Sequence, residues 1–257
     1  MVCVRLHPAR WIAGGYTVAV LAMALAACGG NLWAPPANPS IPTALHTVDL
    51  SHVVHENVPY RLGEPPTRLT RDRTGHLTQL TLGAHTGSLL RVVAAPGAEP
   101  ASVEGLSPRD LVLPAIVIDA RDQAQDRPAF ALSVADVLAW ERTHGMIPRG
   151  TLVLLTTGWD MRWGDANAYL NAGPDGVPRV PGFAPAAADL LLNQRGVAGL
   201  GIDAPATAHV PAVGFALMLE NLTSLEQLPP TGATIVIGAL KLQATESSPA
   251  RVLALVP

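Results

Sequence analysis

Two apolar periodicities alternate along the chain from His46 onward. Thr47–Leu50 and Leu77–Leu82 read as strands, the second setting Leu77, Gln79 and Thr81 against Thr78, Leu80 and Leu82 with a period of two. Ala115–Ile118 and Leu152–Leu155 are unbroken apolar runs of strand length, which predicts central strands covered on both faces. Gly199–Ile202, Ile235–Ile237 and Val252–Leu255 supply further strands. Between them, Ser133 is an N-cap with Asp136 three residues on, opening a helix through Val137, Leu138 and Trp140 that Gly145 closes. Pro185 suits the first turn of a second helix carrying Ala188, Leu191 and Leu192, with Gly196 past its end. The pattern predicts one α/β domain over residues 46–257. Trp159 to Phe183, with Trp159, Trp163 and Tyr169, reads as a long loop: functional or mobile, with an ordinary dimer-contact or surface loop as the alternative.

The pattern before His46 is of another kind. Arg5 and Arg10 precede an apolar run from Tyr16 to Ala27 that is short for a bilayer span and ends in small residues, so residues 1–27 read as an export signal. Leu25-Ala26-Ala27-Cys28 resembles the bacterial lipobox, which implies a lipidated Cys28 as the new N-terminus and attachment to a membrane. An ordinary signal peptide with a chance cysteine, or an uncleaved anchor, are the alternatives. Residue 29 is Gly rather than Asp, so the outer membrane is favoured in a host with two membranes. Residues 28–45 carry Pro35, Pro36, Pro39 and Pro42 and read as a partly extended tether. Cys3 and Cys28 are the two cysteines, leaving the mature chain with neither a disulfide nor a catalytic thiol.

Composition narrows the partners. At 257 residues, 49% hydrophobic and 14% charged, the chain has ample apolar content for a core, and disorder is excluded. A net charge of −3 carries no footprint for nucleic acid, and Lys241 is the sole lysine, so there is no polybasic membrane patch.

The most informative segment is His85-Thr86-Gly87-Ser88-Leu89-Leu90-Arg91-Val92-Val93-Ala94-Ala95. It resembles the signature of the cyclase family, which includes bacterial kynurenine formamidase and reads His-Thr-Gly-Thr-His-x-Asp-x-Pro-x-His. Further likenesses run colinearly: Val48-Asp49-Leu50-Ser51-His52 with Glu64-Pro65-Pro66, Gly150 to Trp159, Gly201-Ile202-Asp203-Ala204-Pro205, Glu220 to Pro229, and Ser248-Pro249-Ala250-Arg251. The resemblance implies a swivelling β/β/α fold, a homodimer, and metal-dependent hydrolysis of a linear amide such as N-formylkynurenine. It also implies a metal set, of which His85, Glu220 and His209 remain, His209 with a one-residue gap in register. Leu89 replaces the second His, Arg91 the Asp, Val93 the Pro and Ala95 the final, catalytic His.

These replacements bear directly on the chemistry. Leucine has no lone pair, and an always-protonated guanidinium puts positive charge where a divalent ion should sit. At ~4 Å and an effective dielectric near 20, that repulsion is about 8 kcal/mol, twice the ~4 kcal/mol of two unit charges. The first expectation is therefore a metal-free pocket with Arg91 paired to Glu220, no cofactor, and a small anionic ligand or none. A second retains the enzyme: zinc or manganese on His85, His209 and Glu220, aided by Asp203 or His52, cleaving an amide, ester or lactone. Ser88 with His85 as nucleophile and base is remote, because three residues apart on a strand they face opposite ways. A different class altogether is a non-catalytic small-ligand or protein-binding lipoprotein, with Trp159, Trp163 and Tyr169 lining its pocket.

Overall fold

The computed structural model describes residues 45–59, 63–94, 97, 99–174, 177–205 and 215–257. The export signal, Cys28, Ala95 and His209 lie outside the described residues, as does the proposed tether apart from its last residue. The strands are β1 (His46–Asp49), β2 (Arg68–Arg71), β3 (Leu77–Thr81), β4 (Leu89–Ala94), β5 (Val112–Asp119), β6 (Ala131–Leu132), β7 (Leu152–Thr156), β8 (Gly182–Phe183), β9 (Gly199–Ile202), β10 (Phe215–Glu220), β11 (Thr231–Ala239) and β12 (Ser247–Val256). The helices are α1 (Arg121–Ala124), α2 (Val134–His144), α3 (Ala166–Leu170) and α4 (Pro185–Asp189), the last running on as π-helical turns to Arg195.

The main sheet runs β1-β12-β11-β5-β7-β9-β10-β4, and β4 also pairs with β12. Seven strands thus close into a barrel, with β1 beside the far end of β12. β5, β7, β9 and β10 are mutually parallel, while the seam strands β4, β11 and β12 are antiparallel. The apolar runs of β5 and β7 are buried on both faces, as their lack of alternation predicted. Leu90, Val92, Ala115, Val117, Leu152, Leu154, Leu217, Leu219, Val252 and Ala254 fill one core. The alternate residues Ile116, Ile118, Val153, Leu155, Ala216 and Met218 pack outward against Val137 and Trp140 of α2 and Ala187 and Ala188 of α4. Gly199 lets β9 and β10 meet closely, since a Cβ there would sit 2.2 Å from the Leu217 carbonyl oxygen.

Local signals set α2 as predicted. Ser133 and Asp136 form the reciprocal capping box, and Gly145 ends the helix. Trp140 Nε1 donates to the Val117 carbonyl at 2.9 Å, fixing the helix on the sheet. Other expectations need correction. His85 to Ser88 form a turn that leads into β4 and are not on a strand. The stretch from Trp159 is not an open loop, because it holds a 3-10 turn, α3 and β8. Trp159, Trp163 and Tyr169 are buried at 3%, 8% and 1% exposure, so their rings belong to the core.

Candidate functional site

Strand register assembles the site on the outer face of the β4–β10–β12 seam. Leu90 and Val92 point into the barrel, so Leu89 and Arg91 point outward. Across β10, Leu89 faces Glu220 and Arg91 faces Met218; across β12, Arg91 faces Ser247. Directly opposed residues in antiparallel strands share a face, and diagonal ones lie within reach of a long side chain. Arg91 uses that diagonal: its Nε donates to Glu220 Oε1 at 2.8 Å. Glu220 is 2% exposed and Arg91 23% by side chain, so a nearly dry carboxylate is held by a guanidinium at the site's edge.

His85 approaches the same face from the turn before β4. Its Nδ1 hydrogen-bonds Glu64 Oε1, its backbone N–H donates to Glu64 Oε2 at 3.3 Å, and its Nε2 lies 3.0 Å from Ser247 Oγ. The chain must pass close over this carboxylate, which requires glycine: a Cβ on Gly83 would meet Glu64 Oε2 at 2.1 Å. The turn itself is fastened by Asn221, whose Nδ2 donates to the Gly87 carbonyl at 2.7 Å and whose own carbonyl accepts Ser88 Oγ at 2.6 Å. Ser88 Oγ also accepts the His52 N–H at 2.9 Å, so this hydroxyl is a structural clamp, and the Ser88–His85 pairing is not formed.

The suggested auxiliaries Asp203 and His52 do other work. Asp203 accepts from Thr157 N, Thr157 Oγ1 and Gly158 N at 2.7, 2.6 and 2.7 Å, tying the exit of β7 to that of β9. Burial raises its pKa from 3.8 to about 6, against the hydrogen bonds from Thr157. His52 stacks on Trp163, ring centroids 4.0 Å apart, and burial lowers its pKa from 6.5 to about 4. Tyr169 donates to Asn221 Oδ1 at 3.0 Å, and burial pushes its pKa well above 10. His46, His55, His76 and His144 are exposed, away from the seam.

The residues at the seam do not suit a divalent cation. Both ring nitrogens of His85 are engaged by Glu64 and Ser247, and Glu220 faces a guanidinium. Leu89 offers nothing to a metal. Among the described residues, no group of three or more His, Cys, Asp or Glu could hold an ion. Glu64 and Ser247 are the two members that sequence reasoning missed. Their signals were the likenesses they adjoin, Glu64-Pro65-Pro66 and Ser248-Pro249-Ala250-Arg251.

The Cyclase family model matches residues 48–209, more than half of the chain. The protein belongs to the Cyclase family. Isatin hydrolase of Roseibium aggregatum is 36% identical over 161 residues, 57% of this chain, and the chain spans 60% of that curated relative's length. Isatin hydrolase A from Ralstonia solanacearum superposes with a TM-score of 0.76 at 29% identity, covering 96% of this chain and 100% of that one. The Labrenzia aggregata isatin hydrolase A bound to benzyl benzoate gives 0.74 at 29%, covering 83% and 94%. A potential metal-dependent hydrolase with cyclase activity shares the fold, with a TM-score of 0.61 at 22% identity, covering 83% and 99%. The α/β fold of the cyclase type and the kinship to hydrolases thus stand as the sequence resemblance implied. The sequence resemblance named kynurenine formamidase within this family, and isatin hydrolases are among the relatives the chain is similar to.

Proposed function

We propose that this is a cyclase-family lipoprotein of a bacterial cell envelope whose site works without a resident metal. Arg91 takes over the positive charge and holds Glu220. The Arg91 Nε–Glu220 Oε1 contact of 2.8 Å carries this reading, with both nitrogens of His85 already bound within the protein. The ligand is a small carbonyl or carboxylate compound, which a guanidinium at a partly open edge would attract. The cyclic amide in the name of isatin hydrolase and the family's formyl amides are of that class. In this reading residues 1–27 are the signal, 28–45 the lipidated tether and 46–257 the working domain, presented as a homodimer.

Elemental analysis of purified protein tests the metal-free site. The expected result is well under one zinc or manganese per chain. Near-stoichiometric metal removed by His85→Ala would overturn it and restore the His85, His209 and Glu220 enzyme. For the anchor, Cys28→Ala should move the protein from the detergent-rich to the aqueous phase on detergent phase separation; unchanged partition would refute lipidation.

A further inference from the structure

The bonds of His85 have the form of a nucleophilic triad. Ser247 Oγ lies 3.0 Å from His85 Nε2, and His85 Nδ1 is hydrogen-bonded to Glu64 Oε1. Serine–imidazole–carboxylate sets arise on unrelated folds and in different chain orders, so geometry identifies them. The order here is Glu64, His85, Ser247. The Glu64 carboxylate grips both the ring and the backbone N–H of His85, which fixes the tautomer with its proton on Nδ1 and leaves Nε2 as the base. We propose that Ser247, His85 and Glu64 form a metal-free acyl-transfer triad for small esters or lactones, built on the face where the family signature has lost its ligands. This rests on the metal-free reading above, because a metal on His85 would occupy the nitrogen that Ser247 needs.

Arg91 completes the set. It stands opposite Ser247 in the β4–β12 ladder, so the two Cβ atoms are about 4.5–5.5 Å apart on one face. Of its donors, Nε is the one that Glu220 takes, leaving the terminal nitrogens for a developing oxyanion. Ser247 is 1% exposed, while the His85 and Arg91 side chains keep 16% and 23%, so a substrate enters at that edge and must be small.

The chemistry balances with water as the sole co-reactant. Ser247 Oγ attacks the carbonyl carbon as its proton passes to His85 Nε2, and the tetrahedral oxyanion faces Arg91. Collapse breaks the bond to the leaving alkoxide, which takes the proton from His85. Water then attacks the acyl-serine, giving its proton to His85. Collapse of this second intermediate returns that proton to Ser247 Oγ and releases the carboxylic acid. Glu64 acts through His85 as a positioning residue.

The test is covalent labelling of the purified full chain by diisopropyl fluorophosphate, with chelator present, read by intact mass and peptide mapping. One adduct per chain on Ser247 is expected, absent in Ser247→Ala and formed at least 100-fold more slowly in His85→Gln. Glu64→Gln should slow labelling to a similar degree, and Glu64→Asp should recover part of the rate, which loss of a merely structural contact would not produce. No adduct on the wild-type chain, an adduct elsewhere, or undiminished labelling of Ser247→Ala overturns the triad. Metal analysis of the untreated sample separates the two failures: stoichiometric metal sinks both readings, whereas metal-free protein that does not label sinks the triad alone.

Discussion

Replacing Arg91 with methionine removes the guanidinium while keeping much of the side chain's apolar length. Glu220, 2% exposed on the outer face of β10, is then left without its cation. Removing one partner of a buried ion pair costs about 3–5 kcal/mol, because the other charge stays desolvated. Arg91 is 23% exposed, so water reaches the pair from one side and the cost falls below that range, to about 2–3 kcal/mol. Glu220→Leu on its own leaves the more exposed Arg91 unpaired and should cost less, roughly 1 kcal/mol or under. The double variant should recover most of the loss, because two apolar groups can replace a buried pair almost neutrally. The coupling energy is therefore expected near 2 kcal/mol. Urea unfolding followed by tryptophan fluorescence, with Trp140, Trp159 and Trp163 of the domain as reporters, supplies the four midpoints of the cycle. A coupling below about 0.5 kcal/mol would refute the argument, since that is what an exposed and unimportant pair gives.

Three further outcomes follow from the same geometry. Placing the two residue types of the family signature together, Leu89→His with Arg91→Asp, should raise zinc or manganese binding to about one per chain by equilibrium dialysis; no gain over the wild type would mean that these positions do not decide metal binding. His52 has its pKa lowered to about 4 from 6.5, so the unfolded chain takes up the proton first. Relative to His52→Phe, the wild type should lose up to about 2 kcal/mol as pH falls from 6.5 to 4, a figure reduced for the ring's partial exposure, and a flat difference would contradict this. Asp203 behaves in the opposite sense, its pKa raised from 3.8 to about 6, so its contribution is present below pH 4 and lost as pH rises through 6. Measured against Asp203→Asn, the wild type should lose about 3 kcal/mol between pH 4 and 6, whereas a gain over that window would show that the hydrogen bonds from Thr157 and Gly158 outweigh burial.

Local signals served the elements whose chemistry is local. The Ser133–Asp136 box, Gly145 and Pro185 marked the helix ends where they are found, and the apolar runs of β5, β7 and β9 marked the barrel's parallel strands. β10 escaped because Phe215-Ala216-Leu217-Met218-Leu219-Glu220 is made largely of helix formers, and pairing with β9 and β4 overrides that propensity. The tryptophans after Gly158 were misread as loop aromatics because periodicity does not show that a connection folds back over the sheet. At the site, the residue types at 89 and 91 were legible at once, and leucine and arginine do not coordinate a metal whatever surrounds them.

What those side chains contact was decided by the tertiary structure. Ser247 lies 162 positions from His85, and Arg91 lies 129 from Glu220. Register across β4, β10 and β12 brings Arg91, Glu220 and Ser247 to one face, the turn before β4 adds His85, and a slip of one residue would turn Arg91 into the barrel. The sequence by itself determined the family, the class of fold and which residue types stand at positions 85 to 95, because these depend on residue identity and near neighbours. The new contacts of His85 and Arg91 depend on how the barrel closes, and closure is a property of long-range pairing that no local pattern carries.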